Sequence, residues 1–265
     1  MPKLHLRDID LYYETAGQGQ PILFIHGLGS SGRDWEEQIA FFSRHYQVVT
    51  FDLRGHGQSD KPAGPYSIPL FASDVAQLIE TLDIAPVHVV GISLGGMIAF
   101  QLAVSNADLV RSLVIVNAAP EFILRMSKER RQVFQRELIV RLLGMRKMGE
   151  VLSKRLFPKP EQDQLRRLFV ERWAENDPRA YLASMRAIVG WSVADHLNEI
   201  RSPTLVMAAD ADYTPVALKE EFVARMPQAE LMVIKDSRHA TPVERPEQFN
   251  QAVIAFLLKQ PKNQV

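Results

Sequence analysis

The chain has 265 residues, 46% of them hydrophobic and 23% charged with a formal net charge of zero, which suits one sizeable α/β unit and gives no global pull toward nucleic acid or an anionic membrane. Cysteine is absent, so disulfides, thiolate nucleophiles and cysteine-ligated metals are excluded together. No stretch approaches the roughly 20 apolar residues of a membrane span, and the opening MPKLHLRDIDLYYETAG lacks the apolar run of a signal peptide, so the expectation is a cytoplasmic protein with neither membrane nor nucleic-acid partners.

In chain order, residues 4–6 and 9–13 alternate apolar and polar side chains and predict an opening antiparallel pair. PILFIHG then leads to the amphipathic RDWEEQIAFFSRH, and QVVTFDL runs through a Gly-rich turn to FASDVAQLIETL. VHVVG enters a second Gly-rich turn, and SLVIVN follows. After a long interval come TLVMAAD, ALKEEFVARM, ELMVIKD and the closing PEQFNQAVIAFLL. Short apolar runs alternating with helical patterns mean a mostly parallel sheet flanked by helices, an α/β fold. Residues 120–195 break this rhythm with helical patterns only, such as RRQVFQRELIVRLLGM and DPRAYLASMRAIV. In the latter, Asp177 has the chemistry of an N-cap and Pro178 that of a first helical residue. The expected organisation is a core of residues 1–119 and 196–265, with 120–195 as a helical cap over the carboxyl edge of the sheet, where such sheets bind ligands.

The turn after VHVVG reads Gly91-Ile92-Ser93-Leu94-Gly95. A strand that turns at once into a helix strains the residue at the junction, and small neighbours two positions away let strand and helix approach. This is the pattern of a nucleophile elbow, which lifts a hydroxyl above the sheet at a helix N-terminus. A serine hydroxyl needs a base, and the base needs a third group to orient it. Of seven histidines, His5, His45 and His196 fall in a strand or in connecting stretches, and His26 and His56 in Gly-rich turns. His88 lies in the strand before the elbow as a pairing residue. His239 lies in KDSRHATP, after the strand ELMVIKD. That loop reaches the same sheet edge as Ser93, which makes His239 the candidate base. For the acid, MAADADYTP offers both Asp210 and Asp212 at that edge. The order Ser, Asp, His is the one expected when a single parallel sheet carries all three.

These residues resemble the α/β-hydrolase fold family over nearly the whole chain. FIHGLGSS at 24–31 is similar to that family's HG-x-G loop, which implies a framework role for His26 and an oxyanion hole made by the backbone N–H groups of Leu28 and Leu94. FDLRGHGQSD at 51–60 is similar to its D-x-R-G-x-G-x-S turn, which implies a scaffold role for His56. Against the family's G-x-x-D-x-x-x-P acid loop the acid is Asp212, although alanine replaces the glycine and the spacer to Pro215 is one residue shorter. That departure keeps Asp210 as an alternative. DSRHATPVERPEQFNQAVIAFL resembles the family's histidine loop and last helix, and supports His239. Within the family, the small cap and GISLGGMIAF resemble the carboxylesterase and 3-oxoadipate enol-lactonase group.

The resemblance implies a serine hydrolase that cleaves small carboxylic esters or lactones through an acyl-enzyme, with no metal and no organic cofactor. The alternatives are a C–C bond hydrolase, a cofactor-free haloperoxidase, or a ligand receptor built on hydrolase architecture. Segment 121–172 carries 14 Lys and Arg against 7 Asp and Glu. This is either a solvated set of helix faces or, more sharply, a set of guanidinium groups turned to the cleft to attract a carboxylate-bearing ester. Phe122, Leu124, Met126, Leu142, Met145, Leu156 and Trp173 are candidate pocket lining, and Trp191 is a candidate substrate-binding residue.

Overall fold

A computed structural model describes residues 3–260, so the first two and last five positions of the expected core lie outside the described residues. The chain opens with the antiparallel pair β1 (Lys3–Leu6) and β2 (Ile9–Ala16), then β3 (Gln20–Ile25). The expected first helix is a 3-10 turn over Gly32–Trp35 running into α1 (Glu36–Phe42). Next come β4 (Tyr46–Phe51), α2 (Ile68–Thr81), β5 (Val87–Ile92), α3 (Leu94–Ser105) and β6 (Val110–Val116). The insertion holds α4 (Ser127–Leu156), α5 (Asp163–Ala174) and α6 (Pro178–Ile188). The chain closes with β7 (Thr204–Ala209), α7 (Val216–Val223), β8 (Ala229–Ile234), the single turn α8 (Thr241–Glu244) and α9 (Pro246–Leu257).

The eight strands form one sheet in the order β1-β2-β4-β3-β5-β6-β7-β8, and every pairing from β4 to β8 is parallel. Burial on both faces explains why β3, β6 and β7 read as continuous apolar runs. Alternate residues feed two cores. Leu23 and Ile25 of β3 join α2 and α3 on one face, whereas Ile22 and Phe24 join Trp35, Phe42 and α9 on the other. The two edge strands differ: β8 alternates half-buried and exposed residues up to its buried last position, and β1 alternates exposed residues with the half-buried Leu4 and the buried Leu6.

Helix starts follow the capping chemistry. Ser67 accepts the Leu70 N–H at 3.2 Å to open α2. Asp177 accepts the N–H groups of Arg179 and Ala180 at 2.8 and 2.9 Å to open α6, with Pro178 in its first turn. The pattern around RRQVFQRELIVRLLGM extends into a 30-residue helix broken at Gly144, whose φ of 77° lies outside the helical region. A short antiparallel clasp pins both ends of the insertion together. Phe122 N–H donates to Trp191 O and Gly190 N–H to Phe122 O, each at 2.9 Å.

The insertion has its own small core of Val140, Met145, Met148, Leu152, Trp173, Tyr181, Leu182 and Met185. Leu28, from the loop after β3, packs into it from below. Among the described residues, no helix is long and apolar enough to cross a membrane.

Candidate active site

Six parallel strands end at the carboxyl edge of the sheet, and the loops after β3, β5, β6, β7 and β8 each carry a residue of the candidate site. Ser93 follows β5, with φ 55° and ψ −116°, a backbone state that costs a non-glycine residue about 1–3 kcal/mol. Close packing holds it there. A Cβ on Gly91 would overlap the carbonyl oxygen of Gly95, and one on Gly95 would overlap that of Ile25. The Ser93 N–H donates to Val116 O at 3.0 Å, which ties the elbow to the end of β6. Leu94 is the first residue of α3, so its N–H has no partner within the helix. Across from it lies the loop after β3, where a Cβ on Gly27 would sit 3.6 Å from Ser93 Cβ. Leu28 follows immediately.

His239 donates from Nδ1 to Asp212 Oδ1 at 2.6 Å. The Asp212 carboxylate is fully buried. Burial alone would raise its pKa, but the bond and charge of His239, and then the charge and bond of Lys219, hold it well below the usual carboxylate range. The alternative acid is engaged elsewhere. Asp210 accepts the backbone N–H groups of Asp236 and Ser237 at 3.0 and 3.1 Å, and so braces the start of the histidine loop.

Two organising residues gave no sequence signal. Asn117, buried at the end of β6 with φ 46°, accepts the Ala209 N–H at 2.8 Å. Its amide donates to Arg238 O at 3.2 Å, His239 O at 3.0 Å and Thr241 Oγ1 at 2.8 Å. Ser93 and His239 are therefore each one hydrogen bond from consecutive residues of the same strand end, Val116 and Asn117. The second is Lys219 of α7, whose Nζ donates to Asp212 Oδ2 at 2.9 Å from a side chain only 1% exposed. An NA dipeptide and a lysine in an amphipathic helix resemble many others, and only the fold brings them here.

The remaining histidines are occupied. His26 Nε2 accepts the Leu53 N–H at 3.0 Å and its Nδ1 donates to Gly27 O at 2.8 Å; burial lowers its pKa to about 4. His56 donates from Nδ1 to Arg54 O at 3.0 Å, and burial brings it to about 3. His88 pairs with Ser112 Oγ at 2.7 Å and is lowered by burial to about 4. His5 and His196 meet Asp10 and Glu199 at the surface, and His45 is exposed. In the turn after β4, the Asp52 carboxylate accepts the N–H groups of Gly32 and Gln58 at 2.8 and 2.7 Å, a scaffold role.

The expected lining residues differ in exposure. Trp191 is 8% exposed within the main core, and its indole N–H donates to Gln101 of α3 at 2.9 Å. Gln101 lies two helical turns beyond Ser93, so Trp191 joins the insertion to the core. Met126 and Leu142 are exposed and Phe122 partly so, whereas Met145, Leu156 and Trp173 are buried.

The basic balance of the insertion is largely spent in ion pairs. Arg125, Arg141, Lys147, Arg146 and Arg167 pair with acids of the insertion itself. Arg172 and Lys159 reach across to Asp34, Glu36 and Asp236 of the core. Arg136 is different. Half-buried, it donates from Nε to the Tyr181 hydroxyl, and its guanidinium carbon lies 5.8 Å from the Trp173 ring centroid and 5.4 Å from that of Tyr181. Among the described residues no carboxylate pairs with it.

The Trp173 indole in turn covers the loop after β3, since a Cβ on Gly29 would come within 2.8 Å of it. Tyr213 stacks on the His239 ring with centroids 4.5 Å apart, and its hydroxyl lies in the field of Arg136 and Arg155. Arg136 therefore touches the Trp173 ring that covers Gly29 and acts electrostatically on Tyr213, which stacks on His239. A separate cavity of about 310 Å³ lies between Arg172, Trp173 and Asp52. Its lining includes none of Ser93, Asp212 and His239, so it flanks the loop after β3 and is not centred on the serine. Among the described residues, no group of three or more His, Asp or Glu is placed to hold a metal ion.

Residues 22–252 match the model of the alpha/beta hydrolase family. The chain is 30% identical over 256 residues to an (E)-2-((N-methylformamido)methylene)succinate hydrolase of Acinetobacter baylyi, covering 93% of each chain. It is 27% identical to 3-oxoadipate enol-lactonase 2 of the same organism, covering 97% of this chain and 98% of the relative. Among solved structures, the enol-lactonase from Burkholderia xenovorans LB400 superposes with a TM-score of 0.90 at 25% identity, over 97% of this chain and 100% of the other.

Proposed function

Since the chain belongs to the alpha/beta hydrolase family, we propose that it is a serine hydrolase of small carboxylic esters or lactones, with Ser93 as nucleophile, His239 as base and Asp212 as the orienting acid. The observation that carries this reading is the 2.6 Å bond from His239 to a fully buried Asp212 at the sheet edge where Ser93 is held in a strained turn. Ser93 Oγ attacks the carbonyl carbon while its proton passes to His239 Nε2. Asp212 fixes the tautomer with Nδ1 protonated and stabilises the imidazolium that forms. The N–H groups of Leu28 and Leu94 hold the oxyanion, which needs no charged side chain. Collapse expels the alcohol with the proton from His239, and water, activated by the same imidazole, then releases the acid. No step calls for a metal or an organic cofactor.

For substrate class, Arg136 favours an ester or lactone that carries a free carboxylate. It is a cation without a carboxylate partner among the described residues, held against Trp173 and Tyr181 and acting electrostatically on Tyr213, which stacks on His239. The names of the two curated relatives, a substituted succinate hydrolase and a 3-oxoadipate enol-lactonase, point the same way. The test is a panel of p-nitrophenyl esters and lactones, neutral and carboxylated, assayed on the native protein and on Ser93→Ala. Turnover that survives Ser93→Ala refutes the reading.

A further inference from the structure

Lys219 is the anomaly of the site. A lysine on a helix of a surface layer ordinarily keeps its ammonium in water, yet this one is 1% exposed. Its Nζ donates to Asp212 Oδ2 at 2.9 Å, Thr214 Oγ1 at 2.6 Å and Thr214 O at 3.1 Å. Thr214 Oγ1 itself donates to Asp212 Oδ2 at 2.8 Å. One carboxylate oxygen therefore faces a cation and a hydroxyl, while the other faces His239. Burying an ammonium is costly, and an apolar residue in its place is often as stable or more so. A need beyond stability accounts for it.

Resting on the assignment of Asp212 and His239 above, we propose that Lys219 is a positioning residue that locks the Asp212 carboxylate and counterbalances its charge, so that His239 stays uncharged and able to act as a base to lower pH than Asp212 alone would allow. The charge count gives the reason. In an aspartate–histidine pair alone, protonating the imidazole takes the site from one negative charge to neutral. With Lys219 present the same event takes it from neutral to one positive charge, which is less favourable in a buried setting.

Other groups bear on His239 without this geometry. Tyr213 stacks on the ring, and Arg136 and Arg155 of α4 act on the Tyr213 hydroxyl. Arg238 and Glu244 flank the histidine on its own loop, where Glu244 accepts the Arg238 N–H. Asp210 is committed to the backbone of residues 236 and 237. Among the described residues, Lys219 is the one charged group that touches the carboxylate oxygen His239 leaves free, which it shares with the Thr214 hydroxyl.

The test compares native protein with Lys219→Gln, which keeps a donor and removes the charge, with Lys219→Met, and with Lys219→Arg, which keeps the charge. The acid limb of kcat/KM for a p-nitrophenyl ester is expected to move up by about one pH unit or more in the Gln and Met variants, the usual size of a nearby-charge effect. It is expected to stay within a few tenths of a unit of native in the Arg variant. An unmoved limb with a uniform loss of rate at every pH would make Lys219 a scaffold residue only and overturn the proposal. The NMR titration of the His239 ring in native and Lys219→Gln protein reads the same shift without turnover. A protein inactive on all esters whose His239 midpoint still moves up refutes the proposed activity and leaves this inference standing. A midpoint that does not move refutes the inference whatever the activity.

Discussion

Replacing Arg136 by methionine removes one charge from the roof of the site while leaving an apolar stem to cover Trp173 and Tyr181. A guanidinium and a carboxylate about 4 Å apart interact by about 4 kcal/mol at an effective dielectric of about 20. Arg136 is half-buried, so solvent screening leaves roughly 1–2 kcal/mol, or about 5- to 30-fold in rate. The assay is kcat/KM for two esters of matched shape, one bearing a distal carboxylate and one a neutral amide, at low and high ionic strength. Native protein is expected to prefer the carboxylate by about 5- to 30-fold at low salt, with the preference shrinking as screening sets in over about 10 Å at 0.1 M. Arg136→Met is expected to abolish the preference and to change the neutral ester by less than about twofold. Equal losses on both esters would mean that Arg136 only packs the insertion. The basic surface would then be a solvated face, and the pocket would select by apolar shape.

Ser93→Ala is expected to abolish covalent labelling by a fluorophosphonate with the fold intact by circular dichroism; labelling of another serine would displace Ser93. Ser93→Gly should be equally inactive yet raise Tm by a few degrees, because φ 55°, ψ −116° suits glycine and relief of about 1–3 kcal/mol of strain exceeds the added freedom of the unfolded chain. Asp212→Asn is expected to lower kcat by up to about 10⁴-fold through the wrong imidazole tautomer, whereas Asp210→Asn should cost little activity; the reverse ranking would move the acid. Unfolding below neutrality should take up protons on His26, His56 and His88, which burial lowers to about 4, about 3 and about 4. The unfolded chain protonates these groups near pH 6.5 while the folded one does not. Stability should therefore be unaffected by them above about pH 6.5 and fall from there toward pH 4, by about 1.4 kcal/mol per unit for each group; denaturant midpoints across that range measure it, and a flat profile would refute the burial argument.

Most of the architecture was legible because it rests on local rules. Apolar runs such as ILFI and TLVM fit strands buried on both faces, and Asp177-Pro178 marks a helix start from two residues alone. Ser93 could be read because strain needs glycines at fixed offsets, and those offsets are written in the chain. The bond from Trp191 to Gln101 was not legible, because an aromatic at the return to the sheet has the same composition signal whether it faces a cleft or a helix of the core. The pairing within the basic segment was hidden for a different reason. A net charge summed over a segment says nothing about pairing, and partners such as Asp34, Glu36 and Asp236 lie far away in sequence. Gly144 looked like an ordinary helical residue, and its break appears only in the backbone.

What the sequence left hidden is also what makes the histidine loop rigid. His239 lies in a loop with little regular structure, and its accuracy of placement has to come from side chains that fold in from other elements. Asn117 supplies three donated bonds from β6. Asp210 holds the first turn of the loop from the end of β7. Glu244 accepts the Arg238 N–H at 2.6 Å and, with its other oxygen, the amide of Gln162 at 2.8 Å. Gln162 belongs to the insertion, and Lys159 beside it pairs with Asp236 at the other end of the same loop. The insertion is thus wired into the base as well as lying over the site. A buried hydrogen bond to a charged acceptor contributes about 1.5–3 kcal/mol, so the Gln162 amide ties the insertion firmly to the carboxylate that also accepts the Arg238 N–H, whereas the exposed Lys159–Asp236 pair adds little.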